Sequence, residues 1–127
     1  MKYIAYCRKS TDEKDKQVLS IEAQIAELTE FAKREKLEIA QFITEAKTAK
    51  APGRQKFAEV LHLLETGAAQ GFISWHPDRL ARNSIDGGKI IYFLDIGKIV
   101  NLKFPSFWFE NTPQGKFMLN IAFGQSK

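Results

Sequence analysis

The sequence predicts an α/β fold: a three-layer, open, mostly parallel sheet of four to five strands flanked by helices. Two observations carry this expectation. Short apolar runs alternate along the chain with segments whose apolar residues recur at helical spacing, and such strand–helix alternation builds parallel sheets. The length of 127 residues suffices for one domain around one core.

The first strand is expected at 2–7, carried by the run Tyr3–Ile4–Ala5–Tyr6. A polar loop, KSTDEKDKQVL, follows it. Ser20 reads as an N-cap, and Ile21, Ile25, Leu28 and Ala32 mark one face of a helix reaching about residue 35. LEIAQFI, residues 37–43, alternates as a second strand. TEAKTAKAPGR reads as a mobile loop before a helix with Phe57, Val60, Leu61 and Leu64 inward, ending near Gly67. GFISW, residues 71–75, is a short buried strand, followed by HPDRLARN. A helix over 84–97 turns Ile90, Ile91 and Leu94 inward, and KIVNLKF is the fourth strand. PSFWFEN is an aromatic turn or short strand. TPQGKFMLNIAFGQSK starts a last helix, with Thr112 as N-cap and Pro113 at its first position. Its Phe117, Met118, Ile121 and Ala122 form one apolar stripe, with Leu119 and Phe123 beside it. The helical pattern continues to Lys127 without a stop signal, as expected of a piece of a longer chain.

Composition excludes some classes. No apolar run reaches membrane-spanning length and the N-terminus lacks a secretory apolar region. One cysteine, Cys7, excludes an internal disulfide and a multi-cysteine zinc site. The expected compartment is cytoplasmic. A net charge of +4 permits a nucleic-acid partner without requiring one. Placement says more. Of 19 basic residues only five are arginines, and Arg8, Arg54, Arg79 and Arg82 lie beside expected turns. Arginine has the planar fork that grips phosphate at two points.

In open parallel sheets, sites form at the carboxyl ends of strands, near the reversal of strand order. CRKS after the first strand and HPDRLAR after the third qualify. If those strands are neighbours, Arg8, Ser10, Asp78, Arg79 and Arg82 converge. Ser10 alone reads as a turn or cap serine, and that reading weakens only because several arginines can reach the same place. A serine needs a base or a stabilised alkoxide to act as nucleophile. Neither His62, on a helix flank, nor His76, near Asp78, completes an evident Ser–His–Asp arrangement, so guanidinium groups are the alternative. Asp78 and Arg82 suit a surface ion pair at i and i+4, which leaves Arg79 pointing elsewhere. Gln24 lies on the apolar face of the first helix, where a buried amide needs partners. Arg54 at a helix start opposes the helix dipole. A bound anion would justify it, and a solvated loop arginine is the alternative. Metal catalysis is not expected: Asp78 is the one acid expected at a strand end, and Asp12, Glu13 and Asp15 read as solvated. Gly87–Gly88 lacks a phosphate-loop fingerprint.

Together these residues resemble the serine recombinases, the resolvase and invertase family, over their N-terminal catalytic domain. Tyr6-x-Arg8-x-Ser10, Gln24, Arg54 and Asp78–Arg79–Leu80–Ala81–Arg82–Asn83 stand in the order of the family pattern, and TPQGKFMLNIAFGQSK is similar to the start of its long association helix. WHPDRLARN and TPQGK most resemble the large serine recombinase branch. The resemblance implies that residues 1–127 are a catalytic domain, with the C-terminal DNA-binding region absent from this chain. It implies Ser10 as the nucleophile on a DNA phosphodiester, and a 5′-phosphoserine intermediate that is rejoined to another end. Arg8, Arg54, Arg79 and Arg82 would hold the phosphate, and Asp78 would orient an arginine or assist proton transfer. Tyr6, Gln24 and Asn83 would support them. No metal, ATP or other cofactor is implied. The implied partners are DNA and further copies of the chain, assembling as dimers and tetramers on DNA, with 1–127 alone a monomer or weak dimer. The rival readings are an inactive DNA-associated domain of the same fold, a flavodoxin-like binding domain, and a metal-free phosphatase.

Overall fold

The computed structural model describes residues 1–10 and 19–124. The expectations for Asp12, Glu13 and Asp15, and for the last residues of the final helix, lie outside them. Four strands, β1 (Lys2–Arg8), β2 (Glu38–Glu45), β3 (Gly71–Ser74) and β4 (Asn101–Lys103), form one sheet in the order β2-β1-β3-β4. All neighbouring pairs are parallel. Strand order reverses at β1, so the crevice between the carboxyl ends of β1 and β3 is where this architecture places a site.

β1 is central, and six of its seven residues are buried. Its side chains alternate between two cores, as strand geometry requires. Tyr3, Ala5 and Cys7 meet Leu28 and Ile73 beneath α1 (Ile21–Glu35). Ile4 and Tyr6 join Phe57, Leu64, Phe72, Ile90 and Leu102 on the opposite face. That face is covered by α2 (Gln55–Glu65), the short α3 (Pro77–Leu80), α4 (Ser84–Asp95) and α5 (Pro113–Gly124). Helix, sheet and helices make the three layers. Among the described residues no helix is long and apolar enough to cross a membrane.

The expected caps form. Ser20 Oγ accepts from Ala23 N at 3.1 Å, and Thr112 Oγ1 accepts from Gly115 N at 3.0 Å. Gly115 is needed there, because a Cβ would stand 1.8 Å from the carbonyl oxygen of Glu110. Gly87 permits close helix packing rather than phosphate binding: a Cβ would lie 2.9 Å from the Phe123 ring.

Several expected boundaries shift. β2 runs two residues further, to Glu45, and β4 is only three residues long. α4 stops at Asp95, and the amides of Lys98 and Ile99 turn back to Phe93 O, so the start of KIVNLKF closes a helix instead of extending a strand. α3 was not foreseen as a helix. His76 caps it through Nδ1 and Pro77 starts it. The loop at 46–54 is pinned: Ala49 is fully buried, and its carbonyl accepts from Arg82 N and from Asn83 Nδ2. The apolar stripe on α5 divides. Leu119, Ala122 and Phe123 are buried where α5 packs on α3 and α4, whereas Phe117, Met118 and Ile121 are exposed. Ala122 therefore belongs to the inner face.

Candidate active site

β1 and β3 are parallel neighbours with Tyr6 opposite Ser74, so the segments that follow them lie side by side. The joint is polar. Arg8 is fully buried. Its Nε donates to Arg79 O at 3.1 Å, its Nη1 to Lys47 O at 3.0 Å and its Nη2 to Asp78 O at 2.7 Å. Arg79 answers with Nη1 donating to Arg8 O at 2.9 Å. One buried side chain thus ties together the end of β1, the loop after β2 and the turn of α3.

Gln24 completes this corner. Its Oε1 accepts from Arg8 N at 3.2 Å, and its Nε2 donates to Arg8 O at 2.9 Å and Leu19 O at 3.1 Å. The amide fixes the peptide groups of the residue that ends β1. Ser10 lies two residues further on and is buried, 6% exposed.

Asp78 accepts from Arg79 Nε at 3.0 Å and stands 3.2 Å from His76 Nδ1. Burial alone would raise its pKa. The His76 ring beside it and the hydrogen bond and charge of Arg79 outweigh burial and hold the carboxyl well below the usual carboxylate range. Asp78 is therefore ionised at neutral pH. Arg82 is half-buried at the junction of α3 and α4.

Tyr6, Arg54 and Asn83 form a second buried cluster beside the first, and it contains two acids that sequence reasoning missed. Arg54 is not a solvated loop arginine: it is 4% exposed. Its Nη1 donates to Tyr6 Oη at 3.0 Å, and its Nη2 donates to Leu80 O and lies 3.2 Å from Asp86 Oδ2. Its Cζ sits 4.2 Å from the Phe57 ring centroid, a cation–π contact. Glu45 is the second acid at a strand end. Tyr6 Oη donates to its Oε1 at 2.6 Å, and the amides of Lys56 and Phe57 donate at 3.0 and 3.1 Å. The anion at the N-terminus of α2 is thus the protein's own carboxylate. Burial raises the Tyr6 pKa; the Arg54 charge opposes this and the Glu45 hydrogen bond reinforces it, so the phenol stays protonated. Cys7 is buried in the sheet, its thiol pushed up to about 12.

Both missed acids left a faint signal. Carrying the period-2 pattern of β2 two residues further puts Glu45 on the buried face of Ile43. Asp86 looks like an ordinary acid in the first turn of a helix, and only the burial of Arg54 gives it a partner. Among the described residues no group of three His, Cys, Asp or Glu side chains could hold a metal ion.

The fold and this corner define a class: an open, parallel α/β domain with a buried serine just beyond an arginine pair at the reversal point of its sheet. The family model described as Resolvase, N terminal domain matches residues 3–126, and the chain belongs to that family. The same fold is found in the N-terminal catalytic domain of TP901-1 integrase, with a TM-score of 0.73 and 20% identity over 96% of this chain and 91% of that one. It is also found in the C-terminal catalytic domain of ISC1926 TnpA, an IS607-like serine recombinase, with a TM-score of 0.69 and 16% identity over 87% and 74%. The first ORF in transposon ISC1904 from Sulfolobus solfataricus P2 gives a TM-score of 0.65 and 21% identity over 92% and 75%. No curated protein matches the sequence.

Proposed function

We propose that this chain is the catalytic domain of a DNA strand-exchange recombinase with Ser10 as its nucleophile. The observation that carries the reading is the position of Ser10, buried immediately past Arg8 where β1 and β3 end side by side. Ser10 Oγ attacks the phosphorus of a DNA phosphodiester. A bond from Oγ to phosphorus forms, the bond to the 3′ oxygen breaks, and the proton passes to that leaving oxygen. The products are a 5′-phosphoserine and a free 3′-hydroxyl. Attack by a 3′-hydroxyl from another end reverses the chemistry and rejoins the strands, so no energy source is consumed.

Arg8, Arg79 and Arg82 supply the positive field that stabilises the charge developing on phosphate. Asp78 orients Arg79 through Nε. Its ionised state at neutral pH supports that role over proton donation. Gln24 holds the backbone of Arg8, and Tyr6, Arg54 and Asn83 brace the strand end from below. The exposed Phe117, Met118 and Ile121 of α5 support self-association through this helix, which would bring copies of the chain together on DNA.

The test is incubation of the complete gene product with DNA carrying candidate sites, in excess EDTA. A protein–DNA adduct is expected. Cleavage that appears only with added magnesium, without an adduct, would replace the reading with a metal-dependent nuclease. Binding without cleavage would favour an inactive DNA-associated domain.

A further inference from the structure

Arg54 is a buried cation at a helix start, where the helix dipole repels it. A buried charge needs a partner with good geometry. Glu45 reaches Arg54 only through the Tyr6 hydroxyl. The direct partner is Asp86, and the two side chains are 2% and 4% exposed. Asp86 is itself clamped: the Oδ2 that faces Arg54 also accepts from Asn83 Nδ2 at 2.8 Å, and its backbone N donates to Asn83 Oδ1 at 2.9 Å. The carboxylate is thereby anchored to the first turn of α4.

The contacts of Arg54 span the two arms of the candidate site. Tyr6 lies two residues before Arg8 on β1, and Leu80 directly follows Arg79 in α3. Arg54 Nε has no acceptor among the described residues, so the guanidinium is not fixed by saturation of its own donors. Its orientation depends on the few groups that do hold it, of which Asp86 is the charged one.

We propose that Asp86 is a positioning residue. By holding Arg54 it fixes the spacing between the strand end that carries Arg8 and Ser10 and the turn that carries Asp78 and Arg79. This rests on the reading of Ser10 as nucleophile. Asp86 acts through Arg54 alone, touching neither Ser10 nor DNA.

The test compares wild type with Asp86→Asn by two readouts. In protein labelled with 15N-arginine, hindered guanidinium rotation should give Arg54 separate Nη signals, and these should coalesce in Asp86→Asn. In single-turnover strand cleavage, the variant should be about tenfold to hundredfold slower, the scale set by misplacing reacting groups, with DNA affinity retained. If Asp86→Asn does not fold, Asn83→Ser replaces it, because serine keeps a capping oxygen and removes the amide donor to Asp86. The same changes are expected there in smaller measure. Cleavage equal to wild type despite loosened Arg54 signals would overturn the positioning role, as would unchanged Arg54 signals. Wild type that never cleaves would count against the recombinase reading instead, and the NMR arm would then decide the Arg54–Asp86 clamp by itself.

Discussion

Arg8 and Arg79 exchange hydrogen bonds through each other's backbone. Arg8 Nε donates to the Arg79 carbonyl at 3.1 Å, and Arg79 Nη1 donates to the Arg8 carbonyl at 2.9 Å. The reciprocity welds the end of β1 to α3 although the residues are 71 positions apart in sequence. It also uses the geometry peculiar to arginine. A planar fork can bond a carbonyl on one side and still present N–H groups in another direction, which a point charge cannot do.

Arg79→Lys therefore keeps the charge but cannot reproduce both the Asp78 and the Arg8 contacts. Single-turnover cleavage should fall about a hundredfold, in the range for losing one preorganised donor. Cleavage close to the wild-type rate would reduce Arg79 to a counter-ion.

Asp78 gives a pH prediction. Its folded-state pKa is depressed, so its contribution to stability is fully present above the unfolded value of about 3.9 and is lost as pH falls through the folded value. The carboxylate is about one-third exposed, which limits the effect to about 1 kcal/mol. Urea unfolding of wild type and Asp78→Asn should differ most above about pH 5, and the difference should shrink below about pH 4. A difference that grows on acidification would contradict the assigned direction.

Gly71 lies opposite Tyr3 in the sheet. A Cβ there would stand 2.4 Å from the Tyr3 ring, whose hydroxyl accepts from Asn101 Nδ2 at 2.7 Å. Gly71→Ala should cost about 1–3 kcal/mol, the usual price of overpacking, and Tyr3→Ala in the same chain should relieve part of it. Denaturant titration of the single and double variants checks this. Strictly additive losses would mean that the ring is not what the methyl meets.

The outer face of α5 predicts assembly behaviour. Phe117 and Met118 are 65% and 55% exposed, so replacing both with glutamate should leave the fold and its melting temperature nearly unchanged. Sedimentation on DNA should then show loss of dimers and tetramers. Undiminished assembly would move the interface elsewhere on the domain.

Much of this was legible in the sequence because it rests on local rules. The apolar run Tyr3–Ile4–Ala5–Tyr6, the caps Ser20 and Thr112, and Pro113 each announce an element boundary through their own chemistry. Strand–helix alternation announced a parallel sheet but not its strand order, so the pairing of β1 with β3 entered the sequence reading only as a condition, which the sheet meets. What was not legible depends on distant packing. α3, at four residues, is too short to show a period. Glu45 and Asp86 resemble surface acids until Tyr6 and Arg54, from other elements, fold against them. Arg54 itself reads as a loop residue, and its burial exists only because Phe57, Leu80 and Asp86 enclose it.

If Ser10 is the nucleophile, it becomes esterified to DNA during cleavage. The complete gene product should be incubated with site-bearing DNA, quenched in denaturant, digested, and the nucleotide-linked peptide sequenced by mass spectrometry. One adduct is expected, a 5′-phosphate ester on Ser10, absent from Ser10→Ala protein of normal fold. An adduct on another residue, or one of undiminished yield in Ser10→Ala, would contradict it.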